Sequence, residues 1–379
     1  MTLKAYSLSP VDSWFFRDGR PFNQGEKTQM DVQSIFPPFA TTVVGAIRAA
    51  LARSLANSLG WNGRGDWPAG IKAKLGDGQN LKPLKFQGPY LIRRMKGSIE
   101  PLYPAPLNIL GKAPSDEEKC WTFSNLSPIK KGINCDLGEN VRLPAAKNAA
   151  GMKSLYGFFL SQEDMARALH GDDQQKIKPI PAKSLWELEY SVGIERDYLK
   201  RTAKEGAIYS ARKVRLCSEV ALAMHVSGLD KEMELPATLL LGGESRMAYS
   251  EPLARPIDLI QAPALQPSGG IIRFTVTHIT PAYFEGGLPG PGEKFLGIPG
   301  AKVISACLER PLRIGGWDSA TSQKGPIPLK PFIPPGSTWF CEAEAGFAER
   351  IRRLNGCHIA ACTDFGFGQI LIGSWKEDA

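Results

Sequence analysis

Histidine is scarce in this 379-residue chain: His170, His225, His278 and His358 are the full set. They are scattered, with no His–His pair and no Ser–His–Asp set, so no acid/base pair for a metal-independent nuclease and no serine triad is legible. Cysteine stands at seven, an odd number at irregular spacing. That argues against a disulfide framework and for a reducing compartment. Cys357, His358 and Cys362, with Cys341 upstream, lack the paired Cys-x-x-Cys spacing of a zinc site, and buried structural cysteines are expected instead. No run approaches the roughly 18 apolar residues of a membrane span. The opening MTLKAYSLSPVDSWFF has no apolar core of a signal peptide. Tandem repeats, coiled-coil heptads and low-complexity tails are also missing. The absences together predict a soluble cytoplasmic protein with no cofactor, no metal, no membrane partner and no small-molecule substrate.

The length predicts two or three structural units, and 43% hydrophobic residues supply their cores. The 39 Gly and 30 Pro are spread along the chain and punctuate many short elements, as in a strand-rich α+β protein. A net charge of +8 is only mildly basic, but its distribution is uneven. Between Gly193 and Arg215, the cations Arg196, Lys200, Arg201, Lys204, Arg212, Lys213 and Arg215 face only Glu195, Asp197 and Glu205. That surplus of four is half the net charge. A second stretch, Gly78 to Ile99, holds Lys82, Lys85, Arg93, Arg94 and Lys96 and no acid.

Residues Leu3 to Leu8 read as a first strand. The Pro37-Pro38 pair precedes a helix expected from Thr41 or Thr42 to Leu59, with Val44, Ile47, Leu51 and Leu55 at helical spacing and Gly60 as its stop. Trp61 to Pro114 reads as an insertion of loops and short strands. Ser161-Gln-Glu-Asp164 is a capping pattern for a second helix ending at His170, with Gly171 beyond it. Leu188, Tyr190, Val192 and Ile194 alternate with Glu187, Glu189 and Glu195, and Ala207 to Leu216 alternates again. With the basic tip Asp197 to Gly206 between them, they predict a long β-hairpin, apolar on one face and cationic on the other. The last third predicts a strand at Ile271 to Ile279 and a Gly/Pro-rich loop from Gly286 to Gly300. Short strands follow around Val303 and Arg313, then a helix at Gly346 to Leu354 and a final strand at Gln369 to Ile372.

A cationic hairpin face can lie along a phosphate backbone, where each neutralised phosphate releases counterions. A solvated charged surface is the competing reading for any such cluster. Tyr198 and Tyr209 are placed either to stack on bases or to pack within the hairpin. Gly366 and Gly368, between a helix and a strand, would let backbone N–H groups approach phosphates. Asp364-Phe365-Gly366 looks like the kinase magnesium motif, but no ATP loop or catalytic-loop sequence accompanies it.

These segments match one family in order. SPVDSWFFRDGRPF (9–22), FPPFATTVVGAIRAAL (36–51), VGIERD with EGAIYSARKVRL (192–216), LLLGGESRM (239–247), IGGWD (314–318), PPGSTWF (334–340) and TDFGFGQILIGSW (363–375) run from end to end. The chain resembles the RAMP subunit of type III-B CRISPR (Cmr) effector complexes that caps the guide RNA's 5′ end. The region from about Trp61 to Asn148 carries none of this likeness.

The resemblance implies two ferredoxin-like (RRM-like) units packed together, with a protruding hairpin, loop insertions and a glycine-rich loop before the last strand. The implied layout is an N-terminal unit over 1–180 with an insertion at about 61–148, a thumb-like hairpin over 181–225, and a C-terminal unit over 226–379. The implied role is non-catalytic: holding the crRNA 5′ tag while docking the large polymerase-like subunit and the backbone RAMP subunits. Arg196, Lys200, Arg201, Arg212, Lys213 and Arg215 would then contact phosphates, with Tyr198 or Tyr209 stacking on bases. Gly366 and Gly368 would allow close backbone approach, and Arg17, Arg20, Arg48 and Arg246 are further RNA-binding candidates. Trp317 is expected to pack. The alternatives are a RAMP-type endoribonuclease processing precursor crRNA, since fold does not fix function, and a scaffold whose basic patch meets an acidic protein.

Overall fold

The computed structural model describes residues 3–17, 31–56, 58, 60–62, 65–78, 80–114, 120–171, 174–318 and 325–377. The architecture is mixed α/β, with mostly antiparallel strands and few helices. No described helix is long and apolar enough to cross a membrane. The chain divides into two compact units, each assembled from three segments. Met1–Ile99, Lys183–Pro256 and Arg313–Leu329 form one, and Glu100–Ala182, Ile257–Leu312 and Lys330–Ala379 form the other.

The first unit is built on an antiparallel sheet in the order Lys85–Met95, Val220–Ser227, Lys4–Pro10, Met247–Pro252, Thr238–Leu240. Val220–Ser227 lies between two neighbours and is buried through its first seven residues, hence its nearly unbroken apolar sequence. A layout cut at 225/226 would pass through this strand. Helix Ala40–Ser54 buries Val43, Val44, Ile47 and Leu51, the three-to-four spacing of an apolar stripe. It ends at Ser54 with Leu55 as its cap, short of the expected Leu59, which lies outside the described residues.

The expected insertion in fact supplies a principal strand. Lys85–Met95 contains Gly88-Pro89, a pair that argues against an ordinary strand. The sheet absorbs it at an irregularity. Tyr90 pairs with Ala223 and Gln87 with His225, so the glycine and proline lie where the ladder skips.

The hairpin forms as expected. Trp186–Arg196 pairs with Ala203–Leu216 from Trp186↔Leu216 to Ile194↔Ile208, then shifts register to Arg196↔Ala203. Its tip is closed by Asp197, whose Oδ1 accepts from the N–H groups of Leu199 at 2.9 Å and Lys200 at 3.1 Å, an Asx turn.

The second unit centres on an antiparallel sheet in the order Lys302–Cys307, Thr338–Glu344, Ile271–His278, Ile370–Ser374. Ile272, Phe274, Val276, Trp339, Cys341, Ile370 and Ile372 fill its core. Helix Gln162–His170 packs against Ile370–Ser374 and has the ends its sequence announced. Ser161 Oγ accepts from the Asp164 N–H at 3.1 Å, and Gly171 is left-handed. A 3-10 turn at Ala345–Phe347 running into Ala348–Arg352 replaces the longer expected helix.

Numbered by sequence, the four principal strands of each unit lie in the spatial order second, third, first, fourth. In the first unit Thr238–Leu240 adds a fifth strand beside the fourth.

Candidate nucleic-acid interface

Directly opposed residues of an antiparallel pair share a face. The register therefore puts Glu187, Glu189 and Ser191 with Arg215, Lys213 and Ala211 on one face of the hairpin. Trp186, Leu188, Tyr190 and Val192 share the other with Leu216, Val214, Arg212 and Ser210.

The charged face is largely consumed by its own unit. Arg215 lies 2.7 Å from Glu189 across the hairpin and 2.9 Å from Asp12, in the loop after the first strand. Lys213 is only 8% exposed. Its Nζ meets Glu244 at 3.2 Å and donates to Ser191 Oγ at 3.0 Å. Arg246 reaches Asp12 at 3.3 Å and Glu244 at 3.9 Å. The Arg215 hydrogen bond holds the Asp12 carboxyl below the usual carboxylate range, against a slight opposing effect of burial. Lys213, Arg215 and Arg246 thus root the hairpin in a network with three carboxylates.

Among the described residues, the apolar face is covered at its root. There Trp186 meets Phe36 edge-on at 4.8 Å and Val214 is fully buried. Farther out, Tyr190 is 63% and Val192 66% exposed, with Leu188 and Ile194 exposed beside them. The Arg212 guanidinium lies on this face, 4.8 Å from the Tyr190 ring centroid. At the tip Arg196, Lys200 and Arg201 are exposed and make no ion pair among the described residues, while Tyr198 and Leu199 are each 96% exposed. The Tyr209 side chain lies outside the described residues.

The remaining expected contacts separate clearly. Arg20 lies outside the described residues. Arg17 is exposed and borders a pocket of about 300 Å³ lined mainly by Phe15, Phe16, Phe39, Leu240 and Gly242-Gly243. Gly242 is left-handed, and a Cβ there would come within 2.8 Å of the Phe15 carbonyl oxygen. Arg48 is 7% exposed and serves the body of its unit. It donates to the carbonyls of Leu75 at 2.8 Å and Gly78 at 2.9 Å and lies over the Trp67 ring.

The glycine-rich loop does not offer its backbone outward. Gly366 and Gly368 are buried, and their N–H groups donate to Thr363 O at 2.9 Å and Pro281 O at 2.8 Å. Glycine is required at 368 because a Cβ would lie 1.9 Å from the Ile359 carbonyl oxygen. Trp317, expected to pack, is 68% exposed.

The histidines are not brought together. His170 is exposed at its helix end, and the His225 ring lies 3.2 Å from Gln87 Oε1. His358 Nδ1 lies 2.9 Å from Phe367 O, and burial pulls its pKa down. His278 is fully buried beside Trp339 and Phe284, and burial pushes it down to about 3. Cys341 belongs to the apolar core of the second unit.

Tyr190, Asp12 and Glu244 escaped the sequence reading. Alternation placed Tyr190 only on the hairpin's apolar face, and nothing local ties the hairpin to Asp12, some two hundred residues before Arg215, or to Glu244, about thirty residues after Lys213.

The family model described as CRISPR-associated protein (Cas_Cmr3) matches residues 6–375. No curated protein matches the chain. Among solved structures, it is similar to a chain of the cryo-EM structure of the Type III-B Cmr-beta bound to cognate target RNA and AMPPnP. That match has 17% identity and a TM-score of 0.45, covering 89% of this chain and 86% of that one. A chain of the Type III-B Cmr-beta bound to cognate target RNA matches at 16% identity and a TM-score of 0.45, covering 97% and 96%.

Proposed function

This chain belongs to the CRISPR-associated Cas_Cmr3 family of type III-B Cmr complexes, and we propose that it is a non-catalytic subunit that holds the 5′ tag of the crRNA. The observation that carries this reading is the hairpin tip, where Arg196, Lys200 and Arg201 stand exposed without carboxylate partners among the described residues. Cations already paired to carboxylates have little left to give a phosphate, whereas these three are available to release counterions. Arg212, over the Tyr190 ring, and Arg17, beside its pocket, are proposed as further contacts on their position alone.

Both units are read as ferredoxin-like. The order second, third, first, fourth is that of a β-α-β-β-α-β sheet. The first unit keeps a helix after its first strand, and the second keeps one before its last. The large polymerase-like subunit and the backbone subunits are the protein partners of this proposal. Exposed Trp317 and Leu329 of the first unit are apolar surface available to such a partner.

Against the endoribonuclease reading stands the placement of the histidines. A general base must reach the proton it abstracts, and His278, His358 and His225 are spent inside the units, leaving His170 alone. Incubation of the purified chain with repeat RNA tests both readings. Binding that weakens steeply with salt and leaves the RNA intact is expected. Specific cleavage abolished by His→Ala replacement would establish the nuclease, and binding indifferent to salt would favour the protein scaffold.

A further inference from the structure

Alternate residues of a strand point to opposite faces of its sheet, and the sheet of the second unit carries a core on each. The main core takes Phe274, Trp339 and Cys341. Leu107, Cys307, Phe340 and Trp375 form a smaller one, against which Leu126 packs. Residues 126–145 adjoin the smaller core. Within them Ser127–Pro128 pairs with Pro144–Ala145, and Pro144–Ala145 lies against Lys302–Cys307. Pro128 and Val141 are buried, but Ile133 and Leu137, in the hairpin between the paired ends, are exposed. Apolar burial alone therefore gives this flap a weak hold.

Two guanidiniums and two carboxylates beside Trp375 add a second hold. Arg273 and Glu342 stand directly opposite each other on adjacent strands and pair at 3.0 Å. Arg142, from the flap, donates to the Ile129 carbonyl of the flap at 2.7 Å and to Glu377 Oε1. The other oxygen of Glu377 lies 3.3 Å from Arg273. Both guanidiniums sit by the indole of Trp375, 5.8 Å from its centroid for Arg142 and 5.7 Å for Arg273. Arg142 reaches Glu342 only at 3.8 Å. Glu377 is thus the group that joins the arginine of the flap to the arginine of the sheet.

We propose that residues 126–145 open as one piece from the sheet of the second unit, and that Glu377 is the latch that holds them closed. Opening parts Arg142 from Glu377 and uncovers the smaller core around Cys307, while the main core on the opposite face stays packed. Segments with few buried apolar contacts open at a free energy well below that of global unfolding. The four charged side chains are partly exposed, so salt weakens the latch. A ligand that binds the uncovered face draws the flap open through the same equilibrium.

Two buried thiols read the two faces separately. Cys307 belongs to the smaller core and Cys341 to the main one, while Cys357 is exposed and reports the reagent alone. The full chain is alkylated with N-ethylmaleimide under native conditions, and peptide mass spectrometry gives the rate at each cysteine. When the reagent is dilute enough for the flap to reclose between encounters, that rate follows the open population. In the native protein Cys307 should react faster than Cys341, and added salt should speed Cys307 alone. Glu377→Gln should speed Cys307 about three- to tenfold and leave Cys341 and Cys357 unchanged. Arg142→Gln should do the same, and the two substitutions together should add little to either one, because they break one link. Equal acceleration of Cys307 and Cys341 would mean that the whole unit unfolds, and would overturn the flap. No acceleration of Cys307 in either single variant, or fully additive effects in the double one, would overturn the latch. The salt response of the native chain decides the matter without a variant: a Cys307 rate indifferent to salt would also overturn it.

Discussion

The Arg215 guanidinium sits 2.7 Å from Glu189 and 2.9 Å from Asp12, so one side chain joins both strands of the hairpin to the loop behind the first strand. Removing Asp12 should therefore loosen the hairpin root. The pair is exposed, so Asp12→Asn should destabilise by only about 0.2–1 kcal/mol at pH 7. The sign of its pH dependence follows from Asp12 being held below its ordinary value. The contribution is fully present above the usual carboxylate range and is lost as the pH falls through the lowered folded-state value. Urea unfolding of the native chain and Asp12→Asn should thus differ at pH 7 and converge at the acid end. A gap that persists at low pH would mean that charge is not what Asp12 contributes.

Two kinds of cation now carry opposite expectations. Lys213, 8% exposed and paired with Glu244, is structural. Lys213→Ala should lower stability by about 1–3 kcal/mol, because Glu244 and Ser191 lose their partner. It should barely change the salt dependence of RNA binding. Arg196, Lys200 and Arg201 are exposed at the tip. Their triple replacement by alanine should leave stability within about 0.5 kcal/mol. The slope of log affinity against log salt should become shallower by about two, at about 0.7 per phosphate on a single strand. An unchanged slope in the tip variant would remove these residues from the interface.

The glycine-rich loop is expected to matter for folding. At Gly368 the chain is left-handed, φ +74°, and a Cβ would lie 1.9 Å from the Ile359 carbonyl oxygen. At Gly269, also left-handed at φ +60°, a Cβ would meet nothing within 4 Å. Gly269→Ala should therefore lose about 1–2 kcal/mol from backbone conformation alone. Gly368→Ala should lose a further 1–3 kcal/mol or so from the collision. Thermal or urea unfolding of the two variants measures the difference, and equal losses would show that the loop relaxes freely around Ile359.

Local signals were legible and partner choice was not. The Ser161 cap and the Gly171 stop act within four residues, so the second helix could be read to its last residue. The hairpin was visible in its alternation, but alternation gives two faces without saying which one is covered. Lys213 and Arg215 were expected to contact phosphates because nothing near them in sequence reveals Asp12 or Glu244. A lysine can also bury its stem while its ammonium stays paired. Tyr190 was read only as part of the hairpin's apolar face, and its 63% exposure depends on what the rest of the chain leaves uncovered. Lys85–Met95 was hidden by Gly88-Pro89, a pair a regular ladder rejects and a local irregularity admits. Arg48 looked like a surface cation, and only the return of the chain at Leu75 and Gly78 gives it its acceptors.

His278 provides the last test, one of the fold's response to acid. It is fully buried between aromatic rings, its two ring nitrogens have no hydrogen-bond partner among the described residues, and burial pushes it down to about 3. Unfolded, the same imidazole takes a proton near pH 6.5. Between these values the unfolded chain binds a proton that the folded chain refuses, so stability is full above about 6.5 and declines as the pH falls toward 3. The decline from this one group approaches about 1.4 kcal/mol per pH unit. His278→Phe keeps an aromatic ring beside Trp339 and Phe284 and removes both unpartnered nitrogens. It should match or exceed the native stability at pH 7, and its advantage should widen steadily at pH 5.5 and 4.5 by urea unfolding. Parallel stability curves for the two proteins over that range would show that His278 is protonated inside the fold after all.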